Sequence, residues 1–142
     1  SIRKGFANVS QLTGLQGRWQ IISKKPLIIV DTGHNEAGII EVLNQLKRTP
    51  HKHLHIVLGM VNDKDPSLIL KHFPKKATYY FCKANLPRSL DEAALKQLGS
   101  TFNLKGECYN SVRKALKTAQ TKAKRGDLVF VGGSTFVVAE VI

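Results

Sequence analysis

Short and almost entirely apolar segments recur along this chain. Three of them carry apolar side chains at nearly every position: residues 27–30, 55–60 and 128–131. Such runs are typical of strands that are covered on both faces of a parallel sheet. After the first run, apolar residues from Ile39 to Leu46 recur at helical spacing, and Pro50 follows the predicted end of this helix near Lys47. The pattern therefore begins as strand, helix, strand.

The same alternation continues to the end of the chain. Further strands are predicted at residues 18–23, 78–82 and 107–109, and further helices at residues 66–72, 89–98 and 113–125, with a last helix that runs to Ile142. Ser89-Leu90-Asp91-Glu92 is interpreted as a capping box that opens a helix, and Gly99 as its end. Strands that alternate with helices indicate βαβ units. The prediction is an α/β fold with a doubly wound, mainly parallel sheet.

Polar residues follow the first buried strand at a position where such sheets bind ligands. Asp31, His34 and Asn35 come directly after residues 27–30. In open α/β sheets, ligands lie at the carboxyl ends of the strands, beside helix N-termini whose free N–H groups attract anions. The three side chains could bind a nucleotide through its ribose hydroxyls, a metal ion or phosphate oxygens. Alternatively, Asn35 only caps the helix and His34 is an ordinary hydrogen-bonded residue.

Three more loops are expected at the same edge of the sheet: residues 63–65, 85–88 and 132–134. Asp63-Lys64-Asp65 could place a cation and two carboxylates there. Arg88 could meet a substrate carboxylate, and Arg18 could make a bidentate contact with phosphate. Ser134 offers a hydroxyl at the start of a helix, next to backbone N–H groups. The charged residues among these have a plainer alternative, because charged loop residues are usually only solvated.

The histidines and cysteines are interpreted as structural. His51, His53 and His55 alternate, so an extended chain would place them on one side, where imidazole could bind zinc. No fourth ligand is evident nearby, so we predict no metal site and leave the role of these residues open. Cys82 and Cys108 are the only cysteines and lie far apart, which favours buried free thiols in a reducing cytoplasm.

A formal net charge of +12 calls for an anionic partner. A strongly basic domain can bind nucleic acid, an acidic membrane surface, anionic small molecules or an acidic neighbouring domain. Within the densest basic stretch, residues 113–125, the apolar positions leave the basic side chains facing outward, and no aromatic residue is interleaved with them. We therefore favour a solvated helix face over a nucleic-acid groove, and attraction of anionic substrates over nucleic-acid binding.

Composition narrows the class of protein further. Hydrophobic content of 42% and charged content of 23% are normal for a soluble globular chain. No apolar run approaches a membrane span, and no signal-peptide core is visible, so we expect a cytoplasmic protein without a membrane partner. The first residue is Ser1 rather than Met, which suggests a piece of a longer polypeptide. No Walker A loop is present, so an enzyme that uses ATP would carry its main phosphate-binding loop elsewhere.

Four ordered motifs carry a family resemblance. They lie at residues 14–19 (GLQGRW), 31–35 (DTGHN), 59–65 (GMVNDKD) and 133–134 (GS), the last followed by residues 139–141 (AEV). In this order and spacing they resemble the C-terminal domain of folylpolyglutamate synthetase/dihydrofolate synthase, in the Mur ligase superfamily, over nearly the whole chain. The family's usual Asp-Gly-Ala-His-Asn stands here as Asp-Thr-Gly-His-Asn, which keeps the three polar side chains.

The resemblance implies a Rossmann-like domain of an ATP-dependent ligase that joins L-glutamate to dihydropteroate or folate. In that family, ATP phosphorylates the carboxylate, and the amine of glutamate displaces phosphate from the acyl phosphate. Charge stabilisation by Mg²⁺ and basic groups, with positioning, would carry catalysis. Residues 1–142 would then be one C-terminal domain, whose preceding ATPase domain holds the P-loop and most Mg²⁺ ligands. The isolated domain is expected to be inactive.

The resemblance also assigns roles to single residues. Arg18 would approach the ATP phosphates and, with His34, would be catalytic. Asp31 and Asn35 would line the same nucleotide cleft, and Ser134 would lie on the glutamate side.

For Arg88, the resemblance is to a more distant relative. It resembles part of an Asn-Pro-Arg loop that binds an amino-acid carboxylate in a Mur relative, but Leu86 interrupts the motif here. The resemblance leaves open the oligomeric state and whether the enzyme makes dihydrofolate, extends polyglutamate tails or does both. The alternative function is a basic α/β module that binds nucleotides or nucleic acid without catalysis.

Overall fold

Strands and helices alternate in the computed structural model, which describes residues 17–62 and 65–142. The strands are β1 (Gln20–Lys24), β2 (Leu27–Val30), β3 (Leu54–Leu58), β4 (Thr78–Phe81), β5 (Gly106–Cys108) and β6 (Leu128–Gly132). The helices are α1 (Glu36–Arg48), α2 (Ser67–Leu70), α3 (Glu92–Ser100), α4 (Val112–Lys122) and α5 (Thr135–Ala139). None of the helices described is long and apolar enough to cross a membrane.

The strands form one sheet in the order β1-β2-β6-β3-β4-β5. All neighbours from β2 to β5 pair in parallel, and β1 pairs antiparallel with β2 at one edge. The loops that leave β2, β6, β3 and β4 therefore share one edge of the sheet, which we call the carboxyl edge. This arrangement confirms the predicted doubly wound, mainly parallel sheet.

Two apolar layers cover the faces of this sheet. On β2, Ile29 packs into the layer that contains α1, α2 and α3, whereas Ile28 packs into the layer that contains α4 and α5. Strands β3 and β6 are buried at every position. Since each fully buried Val, Leu or Ile contributes about 1.5–3 kcal/mol, these two layers hold the carboxyl edge in a fixed geometry.

The basic helix α4 has the amphipathic pattern expected from the sequence. Val112, Ala115 and Ala119 are buried against the sheet. Its basic side chains Arg113 and Lys117 are exposed. The prediction of a solvent-facing basic surface on this helix is therefore confirmed.

The capping box predicted for α3 is wrong. Ser89 is buried, and its hydroxyl donates to the carbonyl oxygen of Ala84 at 2.7 Å. Asp91 caps the helix instead, because its carboxylate accepts from the N–H groups of Ala93 and Ala94. Gly99 lies inside α3, which continues to Ser100. A Cβ at Gly99 would lie 2.9 Å from the ring of Phe81. This glycine serves packing, not termination.

Several other element ends differ from the predicted ones. Helix α4 ends at Lys122 rather than at residue 125, and the last helix ends at Ala139 rather than at Ile142. Strand β1 begins at Gln20 rather than at Arg18, because residues 17–19 form a turn. The cores of the elements were predicted correctly, and their ends depend on tertiary contacts.

Candidate functional site

Asp31 is a buried carboxylate at the end of β2. The residue is only 6% exposed. Its Oδ1 accepts from the N–H of Gly33 at 2.7 Å, and its Oδ2 accepts from the N–H of Trp19 at 2.8 Å. Both oxygens are therefore used to hold two loops together. The contact of Asp31 with a nucleotide stays a prediction.

The turn at residues 17–19 is fixed against the loop after β2. The N–H of Thr32 donates to the carbonyl oxygen of Gly17 at 2.8 Å. Gly17 has φ 78° and Trp19 has φ 46°, a region that glycine enters freely and other residues enter only where surrounding contacts hold them. The bond from Trp19 to Asp31 is such a contact. As a result, Arg18 projects beside the 31–35 loop.

Arg18 and the 31–35 loop line one small cavity at the carboxyl edge. Its volume is about 170 Å³, and its lining comprises Arg18, Thr32, Gly33, His34, Asn35, Gly38 and Thr135. Three of these side chains, Arg18, His34 and Asn35, are exposed. The Nδ1 atom of His34 lies 3.3 Å from the carbonyl oxygen of Thr32, so the ring stays close to its own loop. The structure thus brings together residues from two separate sequence motifs.

Asn35 is the N-cap of α1. Its Oδ1 accepts from the N–H of Gly38 at 2.8 Å, so the capping interpretation describes this side chain, and its contact with a nucleotide stays a prediction. The next residue, Glu36, contacts the two residues that follow α2 instead: His72 Nε2 lies 2.6 Å from its carboxylate and Lys71 Nζ lies 3.9 Å away. The hydrogen bond from His72, helped by Lys71, keeps the pKa of Glu36 below its usual value. Glu36 therefore joins the start of α1 to the segment that follows α2.

Ser134 is buried at the start of α5. It is 2% exposed, and its hydroxyl accepts from the N–H of Phe136 at 3.0 Å. The preceding Gly133 has φ 101°, and a Cβ there would overlap the carbonyl oxygen of Gly59. The Ser134 hydroxyl is thus committed to the helix cap, and its contact with glutamate stays a prediction. The next residue, Thr135, lines the cavity but was not predicted, and only its place after Ser134 could have indicated it.

Arg88 lies over α5 at the same edge. Its guanidinium carbon is 5.8 Å from the centre of the Phe136 ring, a cation–π arrangement. Its carbonyl oxygen accepts from the N–H of Asn62 at 2.6 Å, and the N–H of Asn85 in the same loop donates to Glu140 at 2.6 Å. These bonds anchor the 85–88 loop beside β3 and α5. Arg88 is not among the lining residues of the small cavity, and its contact with a carboxylate stays a prediction.

The three alternating histidines make separate contacts. His51 lies 2.7 Å from the carbonyl oxygen of Thr49, and His53 lies 2.7 Å from the hydroxyl of Thr78. His55 is buried at 4% exposure, between the Tyr80 hydroxyl and the Asp127 carboxylate. Within residues 17–62 and 65–142, no group of three or more His, Cys, Asp or Glu side chains could hold a metal ion.

Some of the predicted features lie outside the described residues. These are Gly14, Leu15 and Gln16 of the first motif, and Asp63 and Lys64 of the third.

Of the two free cysteines, Cys82 is buried and Cys108 is half-buried. Burial raises the pKa of the Cys82 thiol, so this thiol stays protonated and unreactive.

Fold and site together define a doubly wound α/β domain with a small polar cavity at the carboxyl ends of its parallel strands. The chain belongs to the family of the Mur ligase, glutamate ligase domain, whose model matches residues 17–135. One relative is the Escherichia coli dihydrofolate synthase/folylpolyglutamate synthase, 32% identical over 145 aligned positions that cover all of this chain and 32% of the relative.

Two solved structures have the same fold. Escherichia coli FolC in complex with DHPP and ADP matches with a TM-score of 0.80 and 30% identity over 88% of this chain and 30% of that one. Folylpolyglutamate synthase/dihydrofolate synthase from Yersinia pestis, complexed with AMPPNP and Mn, matches with a TM-score of 0.79 and 27% identity over 92% of this chain and 31% of that one. The chain thus spans about a third of the length of these relatives.

The cavity fits part of a nucleotide but not all of it. A guanidinium, an imidazole and two threonine hydroxyls line it, and such groups suit phosphate and ribose oxygens. Its volume of about 170 Å³ is, however, smaller than the roughly 300–1,000 Å³ of typical small-molecule sites. A whole nucleotide bound here would need a second surface to cover it.

Proposed function

We propose that residues 1–142 form the C-terminal domain of an ATP-dependent ligase that joins L-glutamate to dihydropteroate or folate. The observation that carries this proposal is the juxtaposition of Arg18 and His34 around one cavity at the carboxyl edge, in a chain of the Mur ligase, glutamate ligase domain family. The names of the Escherichia coli and Yersinia pestis relatives support the choice of substrates.

The domain would supply one wall of a shared cleft. The small volume of the cavity, about 170 Å³, supports a closing surface rather than a complete nucleotide site. The other wall would be a preceding ATPase domain of the same polypeptide, with the P-loop and the ligands of Mg²⁺. This division agrees with the share of the relatives that the chain covers, about a third, and with a cytoplasmic enzyme that meets ATP there.

Each residue at the edge has a distinct part in this proposal. The Arg18 guanidinium would stabilise the phosphate oxygens while phosphate moves from ATP to the substrate carboxylate. His34, which lines the same cavity, would contact the same group. Asp31 acts as a positioning residue, because it fixes both loops through the N–H groups of Trp19 and Gly33.

The glutamate side is proposed at the neighbouring loops. Arg88 is a cation beside the start of α5, so it could bind the carboxylate of the incoming amino acid. Ser134 would act through its cap on α5, which orients the first turn of that helix. Bringing the glutamate amine and the activated carboxylate together is itself a large part of such catalysis.

The test compares the polypeptide that includes the preceding domain with the 142-residue chain. With ATP, Mg²⁺, L-glutamate and either dihydropteroate or folate, the longer protein should form the glutamyl amide together with ADP and phosphate. The 142-residue chain should form none. No amide from the longer protein with either acceptor would refute the substrate assignment, and steady phosphate release by the chain alone would refute the shared cleft.

A further inference from the structure

A second and larger cavity lies at the opposite edge of the sheet, where β2 and β6 begin. Its volume is about 480 Å³, within the range of small-molecule sites. It is bounded by the β1–β2 turn on one side and by the loop between α4 and β6 on the other. Leu27 opens β2 and lines this cavity, whereas Asp31 follows the end of β2. At about 3.3 Å per residue, roughly 13 Å of strand separates the two sites.

Four cationic side chains surround the opening of this cavity. Lys24 and Lys25 come from the β1–β2 turn, and Lys124 and Arg125 come from the α4–β6 loop. All four are exposed. Lys124 and Arg125 follow the carboxyl end of α4, where the helix dipole favours cations. The fold brings Lys24 and Lys25 to the same cavity from the β1–β2 turn.

Part of the lining of this cavity is apolar. Pro26, Leu27 and Ala123 line it and are half-buried, and the exposed Pro50 lies beside them. An inorganic anion alone would leave these surfaces uncovered. The combination of apolar and cationic lining residues fits an organic molecule that has an apolar body and at least two anionic groups.

The one acidic residue among the lining residues does not cancel this charge. Asp127 is 9% exposed, and its Oδ2 accepts from the N–H of Lys124 and faces Nε2 of His55, both at 2.9 Å. Its carboxylate is therefore turned inward and compensated by its own partners. The four exposed cations remain available to a ligand.

Both walls of the cavity are held in place without a ligand. The Ser23 hydroxyl donates to the carbonyl oxygen of Pro26 at 2.8 Å, which fixes the β1–β2 turn. The N–H of Lys52 donates to the carbonyl oxygen of Gly126 at 2.8 Å, which fixes the α4–β6 loop. A preformed cavity loses little conformational entropy when a ligand binds.

From these observations we infer that the cavity between the β1–β2 turn and the α4–β6 loop is a second ligand site, for a small organic polyanion. The anionic groups are phosphates or carboxylates, held by Lys24, Lys25, Lys124 and Arg125, while the carbon body contacts the apolar lining residues. This site is independent of the proposed ligase function and would persist if that function were wrong.

Amide NMR of the 142-residue chain tests the inference residue by residue. The probes are ADP as a phosphate source, triglutamate as a carboxylate source and adenosine as an uncharged body. The solution contains about 150 mM salt, where the Debye length of about 8 Å screens diffuse attraction. The N–H signals of Gly126 and Leu27 report on this cavity, and those of Gly33 and Gly38 report on the carboxyl edge.

ADP, triglutamate or both should shift Gly126 and Leu27 in a saturable manner, and adenosine should not. The double variant Lys24→Gln/Arg125→Gln should weaken this binding at least tenfold. The control Lys105→Gln/Lys117→Gln removes the same charge from exposed positions outside the cavity and should change binding less than twofold. The probe that binds identifies the anionic group.

Three results would overturn the inference. The first is a shift confined to Gly33 and Gly38, with Gly126 and Leu27 unmoved by both anions. The second is an equal loss of binding in the two double variants, which would indicate net charge alone. The third is that a nucleic-acid duplex binds here, that both double variants weaken this binding equally, and that ADP and triglutamate do not bind. This surface would then bind polyanions through its charge in general.

Discussion

Asp31 supports the cavity at the carboxyl edge without lining it. Its two oxygens accept from the N–H groups of Trp19 and Gly33, and these bonds join the two loops whose residues Arg18 and His34 line the small cavity. The geometry of the exposed residues therefore depends on a buried one.

We expect Asp31→Ala to lower the free energy of unfolding by about 2–4 kcal/mol, because two N–H groups lose their acceptor in a poorly hydrated place. Asp31→Asn, which keeps one carbonyl acceptor, should lose less. Urea unfolding of both variants measures this. A wild-type midpoint for Asp31→Ala would mean that other contacts hold the two loops.

Gly133 is a second position where one residue controls the edge. Since alanine at φ 101° is strained and its Cβ would overlap the carbonyl oxygen of Gly59, Gly133→Ala should cost about 1–3 kcal/mol of stability. Gly126→Ala is the matched control, because Gly126 also has a positive φ of 89° but faces only the flexible stem of Lys52. Thermal melts of the two variants should differ, and equal losses would show that the contact with Gly59 is unimportant.

At the scale of single elements, α3 shows what local sequence rules can and cannot determine. The motif Ser89–Glu92 contains two residues that can cap a helix, and the rule for capping boxes selects the first. In the fold, the chain at Ser89 forms an antiparallel bridge with Val61, which keeps that residue extended. Only a contact distant in sequence decides between the two caps, so the sequence alone could not.

The cap of α3 gives a direct test of this correction. Asp91→Ala should lower stability by about 1 kcal/mol, because two N–H groups of the first turn lose their acceptor. Asp91→Asn should stay near wild type, since asparagine caps about as well as aspartate. Urea unfolding distinguishes them, and no loss in Asp91→Ala would return the cap to Ser89.

The start of β3 is joined to β6 and β4 by a buried polar chain. His55 Nε2 lies 2.9 Å from the Asp127 carboxylate, and its Nδ1 lies 2.8 Å from the Tyr80 hydroxyl. A carboxylate only accepts, so Nε2 carries the proton, and in a neutral ring Nδ1 accepts from Tyr80. Burial, helped by Tyr109 and Asp127, raises the pKa of Tyr80 to about 12, so this hydroxyl keeps its proton.

This chain predicts a specific dependence of stability on pH. Burial acts to raise the pKa of Asp127, but the N–H of Lys124 and the His55 ring outweigh it and keep the pKa below its usual value. A lowered folded-state pKa stabilises the protein above the unfolded-state pKa of about 4, and this contribution is lost as the pH falls below it. The stability difference between wild type and Asp127→Asn should therefore be larger at pH 7 than at pH 3. An unchanged difference in urea unfolding would contradict the assignment.

At the scale of the whole molecule, the two edges of the sheet have different chemistry. The alternation of apolar runs and helices was sufficient to predict that the loops after β2, β3, β4 and β6 share one edge, because parallel strands require it. The burial and contacts of the individual side chains at that edge were harder to predict. Ser134 is buried as a cap and Arg88 lies over Phe136, and both outcomes depend on how α5 packs. The basic cavity at the other edge was not predicted, since its cations come from segments about 100 positions apart.

The central claim is that Arg18 and His34 face a reaction cleft rather than support the fold. The most direct measurement is the rate of amide formation by the longer protein carrying Arg18→Ala or His34→Ala, beside the melting temperature of each variant. Arg48→Ala and His53→Ala serve as controls, since they remove the same side-chain types from exposed positions outside the cavity at the carboxyl edge.

Both test variants should lose at least a hundredfold in turnover, on the order of 3 kcal/mol of barrier, while the stability of each stays within roughly 0.5 kcal/mol of wild type. The two controls should keep wild-type rates. Wild-type rates in Arg18→Ala and His34→Ala would contradict the assignment of the cleft, and a large melting loss in either would make that residue structural.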